Sequence, residues 1–343
     1  GGFWGGTQDD YWKLYKASAL AVKRVDKQIR IGGPASSKGN WVKEIITYTT
    51  KNNLPLDFVS THLYPQDEQV QYPDRVGSPH KVGDFFSATF KEVEQIVRKS
   101  EKPNLEIHWT EWNTQTAATA KQITWGDNIY VDNLYAASFI ARNCIELDTL
   151  SKSMAYWVVS DIFDEGGIPH SPFSSTYGLM SIHGIPKASF NAFRILGAGS
   201  FVVKEGGITK VILWNQNFPE IKDLKDWRGS VQIPSGIDSA MSVIQTTIGI
   251  GHGSPWETWQ VMGRPQNLTP TQFDMLKAHS EPAYAQSVIP TKNKTATLNF
   301  TLKPGEVQYF EITPPVESSI KRNVDPEELK RWEMLQGEKS RNN

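Results

Sequence analysis

The feature that most constrains this chain is an alternation that occurs four times in its first 165 residues. An amphipathic helical stretch is followed each time by a short, nearly continuous apolar run. The runs are IRIGGPA (29–35), LDFVSTHLYP (56–65), NLEIHWTEW (104–112) and MAYWVVSDIF (154–163). Strands that are apolar at almost every position need cover on both faces, as in parallel sheets flanked by helices. The first helical stretch, 7–27, has Thr7 and Asp10 spaced as a capping pair and Trp12, Tyr15, Ala19 and Val22 on one face. The next covers 41–50. A third is marked by Phe86, Phe90, Val93, Ile96 and Val97, with Ser87 expected as its cap, and a fourth, rich in alanine, covers 133–147. Residues 190–196 close the series with a last helix.

Every run ends in polar residues: Ser36, then Ser60, Thr61, His62 and Tyr64, then Glu111 and Asn113, then Ser160 and Asp161. A (β/α)8 barrel places its active site at the C-terminal strand ends, and so does a doubly wound open sheet. The pattern alone leaves that choice open, and four units amount to half a barrel. After Gly199 the texture changes to short alternating or β-branched runs separated by turn residues, which is how a β-sandwich reads. A helical insert at 269–278 starts with Thr-Pro. Domains are therefore expected at 1–199 and 200–315. A charged tail follows at 316–343, read as a solvated extension with a short helix at 325–335.

Charge excludes one partner class. Lys and Arg total 36 against 37 Asp and Glu, which is no footprint for nucleic acid. No apolar run approaches the roughly 18 residues that a membrane span needs. Cys144 is the one cysteine, so neither an internal disulfide nor a multi-cysteine metal site is expected. Aromatics are plentiful, at 12 Trp, 11 Tyr and 15 Phe. Core packing accounts for most such residues, but flat rings also stack on sugar faces.

The stretch HWTEWNT (108–114) is the sharpest candidate for chemistry. Glu111 stands between Trp109 and Trp112 where a buried strand ends, and an ionised carboxylate there is costly without partners. It is either a catalytic carboxylate or a strand-end glutamate paired with a cation. A retaining glycosidase needs one carboxylate facing the anomeric carbon and a second carboxyl group that protonates the leaving oxygen.

HWTEWNT, preceded by DFVSTHLYP and followed by YWVVSDIFDE, resembles glycoside hydrolase family 39. That family holds β-xylosidases and α-L-iduronidases, built as a (β/α)8 barrel with an attached β-sandwich. The resemblance also runs through IRIGGPA, YGLMSIHGIPKASFNAF and PWETWQVMGRPQNLTPTQFDMLKAHSEPA, covering about residues 3–315. It implies an α/β fold: the C-terminal half of a (β/α)8 barrel, strands five to eight, followed by an all-β sandwich. Glu111 matches the family's nucleophile. His62 and Tyr64 match residues lining the sugar subsite, with Tyr64 placed to donate to the nucleophile or to a sugar oxygen; a satisfied buried histidine is the other reading of His62. Trp157 and Glu165 match positions that contact substrate hydroxyls. Asp161, between them, either joins these or fixes its loop by accepting backbone hydrogen bonds.

Three departures stand out. Ser175, Thr176, Tyr177 and Gly178 replace a Gly-Gly-Phe-Gly type loop, and Lys187, Ala188, Ser189 and Phe190 replace Lys-Pro-Ala-Phe. The third is the family's acid/base glutamate, which lies in an Asn-Glu-Pro block just before a Phe-Trp pair like Phe3–Trp4. That block is absent from these 343 residues. The expectation is a retaining exo-glycosidase acting on plant-type oligosaccharides, foremost a β-xylosidase, with its acid/base glutamate upstream of Gly1. The chain opens on GGFWGG, like the middle of something longer, with its own N-terminal half or a second copy expected to complete the barrel. An α-L-arabinosidase or an iduronidase-like enzyme is the alternative; an iduronidase would need a rim cation that the strand ends do not supply. A non-catalytic fragment or carbohydrate-binding module is the alternative of another class. No cofactor or metal is expected. The resemblance implies a secreted or periplasmic setting.

Overall fold

The computed structural model describes residues 4–65, 67, 82–114, 130–162, 169–174, 176–197, 203–205, 207–216 and 225–314. The first helix, α1 (Gln8–Val25), starts on Thr7, whose side chain and that of Asp10 cap one another's backbone N–H groups. Trp12, Tyr15 and Ala19 are its buried stripe. Strand β1 (Gly32–Ser37), α2 (Val42–Lys51), β2 (Phe58–Leu63), α3 (Val82–Arg98), β3 (Glu106–Trp112), α4 (Leu134–Glu146), β4 (Ser153–Tyr156) and α5 (Ala188–Gly197) follow in order. The four strands form one parallel sheet in sequence order, β1-β2-β3-β4. Val59, Leu63, Ile107, Trp109 and Trp112 join helix residues such as Ile45, Phe86, Phe90 and Phe139 in one core.

Two expectations need correction. Ser87 does not cap the third helix: α3 already begins at Val82, and Ser87 is buried inside it. The apolar stripe starts at Phe85 and Phe86, so the helix must be wound before Ser87 is reached. The run 154–163 is strand only to Tyr156. Beyond it Val158 and Val159 exchange backbone hydrogen bonds with the 177–180 segment instead of with β3. Val159 and Ile162 are exposed, so this run lacks the two-sided cover its composition suggests.

Strands β5 (Val203–Glu205), β6 (Ile208–Trp214), β7 (Trp227–Pro234), β8 (Ala240–Ile250), β9 (Gly253–Ser254), β10 (Ala283–Lys292), β11 (Thr295–Leu302) and β12 (Val307–Thr313) make a second sheet. Its path is β5-β6-β12-β8-β10-β11-β7, with β9 beside β8, and its neighbours along that path are antiparallel. The β10–β11 hairpin pairs only at its turn, so β11 and β7 fold over as a second layer. Between the layers lie Val211, Met241, Val243, Leu298, Phe300, Phe310 and Ile312. Strand β12 is buried on both faces: Phe310 and Ile312 point between the layers, whereas Val307 and Tyr309 join the helix-rich core. Two helices, α6 (Trp256–Val261) and α7 (Pro270–His279), interrupt the strands. Thr269 and Gln272 form the capping box of α7, as the Thr-Pro start suggests.

The expected helix at 325–335 lies outside the described residues. Among the described residues, no helix is long and apolar enough to cross a membrane.

Candidate active site

Strand β3 carries a β-bulge that decides which way Glu111 faces. Trp109 pairs with Thr61, but the next partner of β2, His62, pairs with Glu111, so Thr110 is an extra residue. The same irregularity appears against β4, where Trp109 pairs with Met154 and Trp112 with Tyr156. In strict alternation Glu111 would share the face of Ile107 and Trp109, beneath the helices. The bulge inverts this. Trp109 stacks on Phe90 of α3 with ring centroids 3.7 Å apart, and Trp112 packs edge-on against Tyr156 and Phe193 on the same covered side. Glu111 turns to the opposite face, which it shares with His108 and Glu106.

There Glu111 meets residues from the neighbouring strand end. The Tyr64 hydroxyl donates to Glu111 Oε2 at 3.0 Å. Burial raises the Tyr64 pKa well above the usual phenol range, and the adjacent Glu111 carboxylate raises it further, so Tyr64 is a proton-bearing donor at all ordinary pH. The His62 ring lies edge-on to Tyr64 at 6.4 Å between centroids. Of the residues singled out from sequence, Glu111, Tyr64 and His62 are therefore together. Trp157 stands half-buried just past the end of β4, its N–H bonded to the carbonyl of Trp112 at 2.9 Å and its own carbonyl accepting from the Asn113 side chain.

Asp161 is in a different environment. It is buried, and it holds the Lys187 ammonium at 2.8 Å and the Gly178 N–H at 2.8 Å. Burial pushes its pKa up to about 7, with Lys187 opposing and the charge of Asp132 adding to the shift. Glu165 lies outside the described residues.

Several further residues stand here, of which the sequence marks Tyr177 only as part of the departing 175–178 loop. Tyr177 packs its ring against Tyr64 at 5.9 Å. Asp67 accepts the Tyr64 N–H at 2.9 Å, and burial raises its pKa against the opposing effects of that hydrogen bond and of the Lys38 charge. Lys38, in the loop after β1, donates its backbone N–H to the His62 carbonyl at 2.7 Å. It is a cation close to the strand ends, where the sequence reading finds none. The single thiol is no competitor as nucleophile, since burial pushes Cys144 up to about 12. Among the described residues, no group of three or more His, Cys, Asp or Glu is arranged to hold a metal ion.

A half-buried carboxylate at a parallel-strand end, bonded by a phenol and walled by aromatic rings, is the kind of site that serves carbohydrate chemistry. Residues 2–199 match the family model for glycosyl hydrolases family 39, and the chain belongs to that family. It is 31% identical over 299 residues to a β-xylosidase of Caldicellulosiruptor saccharolyticus, covering 81% of this chain and 58% of that protein. A β-xylosidase of Geobacillus stearothermophilus is 30% identical over 335 residues, covering 90% of this chain and 63% of that protein. The chain thus spans about three-fifths of the length of these curated relatives. The crystal structure of the GH39 enzyme from Xanthomonas axonopodis pv. citri superposes with a TM-score of 0.76 at 23% identity, over 91% of this chain and 66% of that one. This likeness bears out the expected fold class, strand–helix units of a (β/α)8 barrel followed by an all-β sandwich.

Proposed function

We propose that this chain carries the nucleophile side of the active site of a retaining exo-acting β-xylosidase, with Glu111 as nucleophile. The observation that carries the reading is the Tyr64–Glu111 hydrogen bond at 3.0 Å between neighbouring strand ends. A phenol there orients the carboxylate for attack on an anomeric carbon and can pass its hydrogen bond to the sugar ring as the glycosyl-enzyme bond forms. His62 and Trp157 are assigned to the sugar subsite, and Glu165 to a substrate hydroxyl. The names of the two bacterial relatives support xylosides as the substrate class.

The reading gives the acid/base role to a glutamate upstream of Gly1 in the whole protein. It also assigns the cover of the inner sheet face to that upstream part or to a second copy. The support is that Phe58, Glu106, His108 and Glu111 on that face are only half-buried. A secreted or periplasmic setting belongs to the same proposal, and fractionation of the native host tests it.

The test of the chemistry uses 2,4-dinitrophenyl 2-deoxy-2-fluoro-β-xyloside, whose leaving group departs without protonation. The 343-residue chain should gain one fluoroxylosyl unit on the peptide containing Glu111, and Glu111→Gln should gain none. Labelling of another carboxylate sinks the assignment. A folded chain that binds xylo-oligosaccharides without being labelled points to the binding-module reading instead. Lys38 favours one second reading, an enzyme for acidic or related sugars such as an iduronidase-like or arabinosidase-type hydrolase, because its positive charge acts on Asp67 at the strand ends. Faster labelling by the fluorinated uronide or arabinoside than by the xyloside would establish it.

A further inference from the structure

The ion cluster around Lys187 is the most heavily buried charged feature among the described residues. Lys187 and Asp132 are 0% exposed and Asp161 is 1% exposed. The ammonium lies 2.5 Å from Asp132 Oδ1 and 2.8 Å from Asp161 Oδ2. Burying an ammonium between two carboxyl groups is not an economical way to hold a fold, since apolar groups of the same volume often do as well. Such a cluster is a precise one, however, because each group has one place where its charge is tolerated.

Its hydrogen bonds converge on a single tyrosine. The Lys187 ammonium donates to the carbonyl of Thr176 at 3.0 Å, and Asp161 Oδ1 accepts the N–H of Gly178 at 2.8 Å. These are the residues immediately before and after Tyr177. The Tyr177 carbonyl accepts from the N–H of Val158 at 3.0 Å and from the side chain of Asn113 at 3.3 Å. Gly178 leaves no slack: a Cβ there would lie 2.2 Å from the Asp161 backbone nitrogen. The Tyr177 backbone is thus gripped on both sides, and its ring is set against Tyr64, the donor to Glu111.

We propose that Lys187 is a positioning residue for the active site: with Asp161 it fixes the Thr176–Gly178 segment, and through Tyr177 it holds the Tyr64 hydroxyl on Glu111. The inference rests on the assignment of Glu111 for its catalytic meaning, but the mechanical coupling stands without it. Lys187 lies two elements away from Glu111 in sequence, and its ammonium bonds, among the described residues, go to Asp132, Asp161 and Thr176. It acts on the sugar subsite by removing the freedom of the residue that walls it. The cluster also joins the start of α4, through Asp132, to the segment after β4, so three chain segments close on one ammonium.

The test is a coupling measurement on the 343-residue chain with ¹³Cζ-labelled tyrosine, Tyr64 being assigned by its Phe variant. In the parent chain, Glu111→Gln should shift the Tyr64 resonance. In Lys187→Met that response should be lost while circular dichroism and a cooperative thermal transition persist. Tyr177→Ala, which leaves the ion cluster intact, should lose the response equally, and it decides the matter where Lys187→Met does not fold. A full Tyr64 response in either folded variant overturns the proposal. A parallel arm follows trapping by the fluorinated dinitrophenyl xyloside, where the maximal rate should fall about 10- to 100-fold at an unchanged saturation constant. Should the parent chain not be labelled at all, the nucleophile assignment fails, and the resonance arm still judges Lys187.

Discussion

Glu257, from the second sheet's helix α6, accepts the backbone N–H of Leu134 at 3.0 Å, so that helix α4 of the first sheet begins on a carboxylate supplied by the other. Asn133 supplies the ordinary cap, accepting from Tyr135. The second carboxylate oxygen takes the Ser254 hydroxyl at 2.5 Å. Nearby, the Asn191 side chain of α5 donates to the carbonyls of Gly253 and Ser280. The two sheets therefore share polar contacts as well as a core, which holds the helices behind Glu111 in a fixed relation to the sandwich.

Glu257→Gln should be nearly silent, because burial already raises the pKa of Glu257 and an amide oxygen can accept the same N–H. Glu257→Ala should cost about 1–3 kcal/mol by leaving the Leu134 N–H and the Ser254 hydroxyl without their acceptor. Thermal unfolding of the two variants against the parent checks both values.

Tyr64→Phe should lower the rate at which Glu111 is glycosylated by about 10- to 100-fold, the worth of one hydrogen bond to a charged group. The fold should be unaffected, since the phenyl ring remains packed on Tyr177. Unchanged trapping kinetics would remove Tyr64 from the site.

The aromatic stack behind the site carries stability. Trp109 is fully buried and parallel to Phe90 at 3.7 Å. Trp109→Ala should destabilise the chain by about 3–5 kcal/mol through lost contact and the cavity left behind. Denaturant titration should show a lower midpoint with little change in slope.

Much of this was legible in sequence, and the failures have physical reasons. The alternation of apolar runs and helices identified the parallel sheet, and the polar residues after each run marked its functional end. Strand-end logic therefore found Glu111, His62 and Tyr64. The bulge at Thr110 was not legible, because a threonine in a strand looks the same whether or not it is an extra residue. Asn113 was legible as a polar strand-end residue, but Tyr177 and Lys187 only as letters of departing motifs. What makes them matter is convergence of segments that are 11 to 64 residues apart, and no local pattern encodes that. A lysine flanked by Ile185, Pro186 and Ala188 was the one available hint of a buried cation. Glu257 was similarly hidden within an aromatic stretch, PWETW, whose rings suggest packing rather than a helix start.

The pH dependence of stability offers a check on the buried cluster. Burial raises the folded pKa of Asp161 to about 7, above the ordinary carboxylate value. Between those two values the folded chain holds a proton that the unfolded chain has lost. Folding is therefore favoured by this group at acid pH, and its contribution is withdrawn as pH rises from about 4 to about 7. Linkage sets the slope at no more than about 1.4 kcal/mol for each pH unit. Asp161→Asn removes the titration, keeps an oxygen for the Gly178 N–H, and leaves Lys187 paired with Asp132 alone. The difference in unfolding free energy between parent and Asp161→Asn should thus drift in favour of the variant as pH rises through this window, and level off above it. A difference that stays flat from pH 4 to 8 would mean that Asp161 is ionised throughout, with Lys187 holding both carboxylates charged.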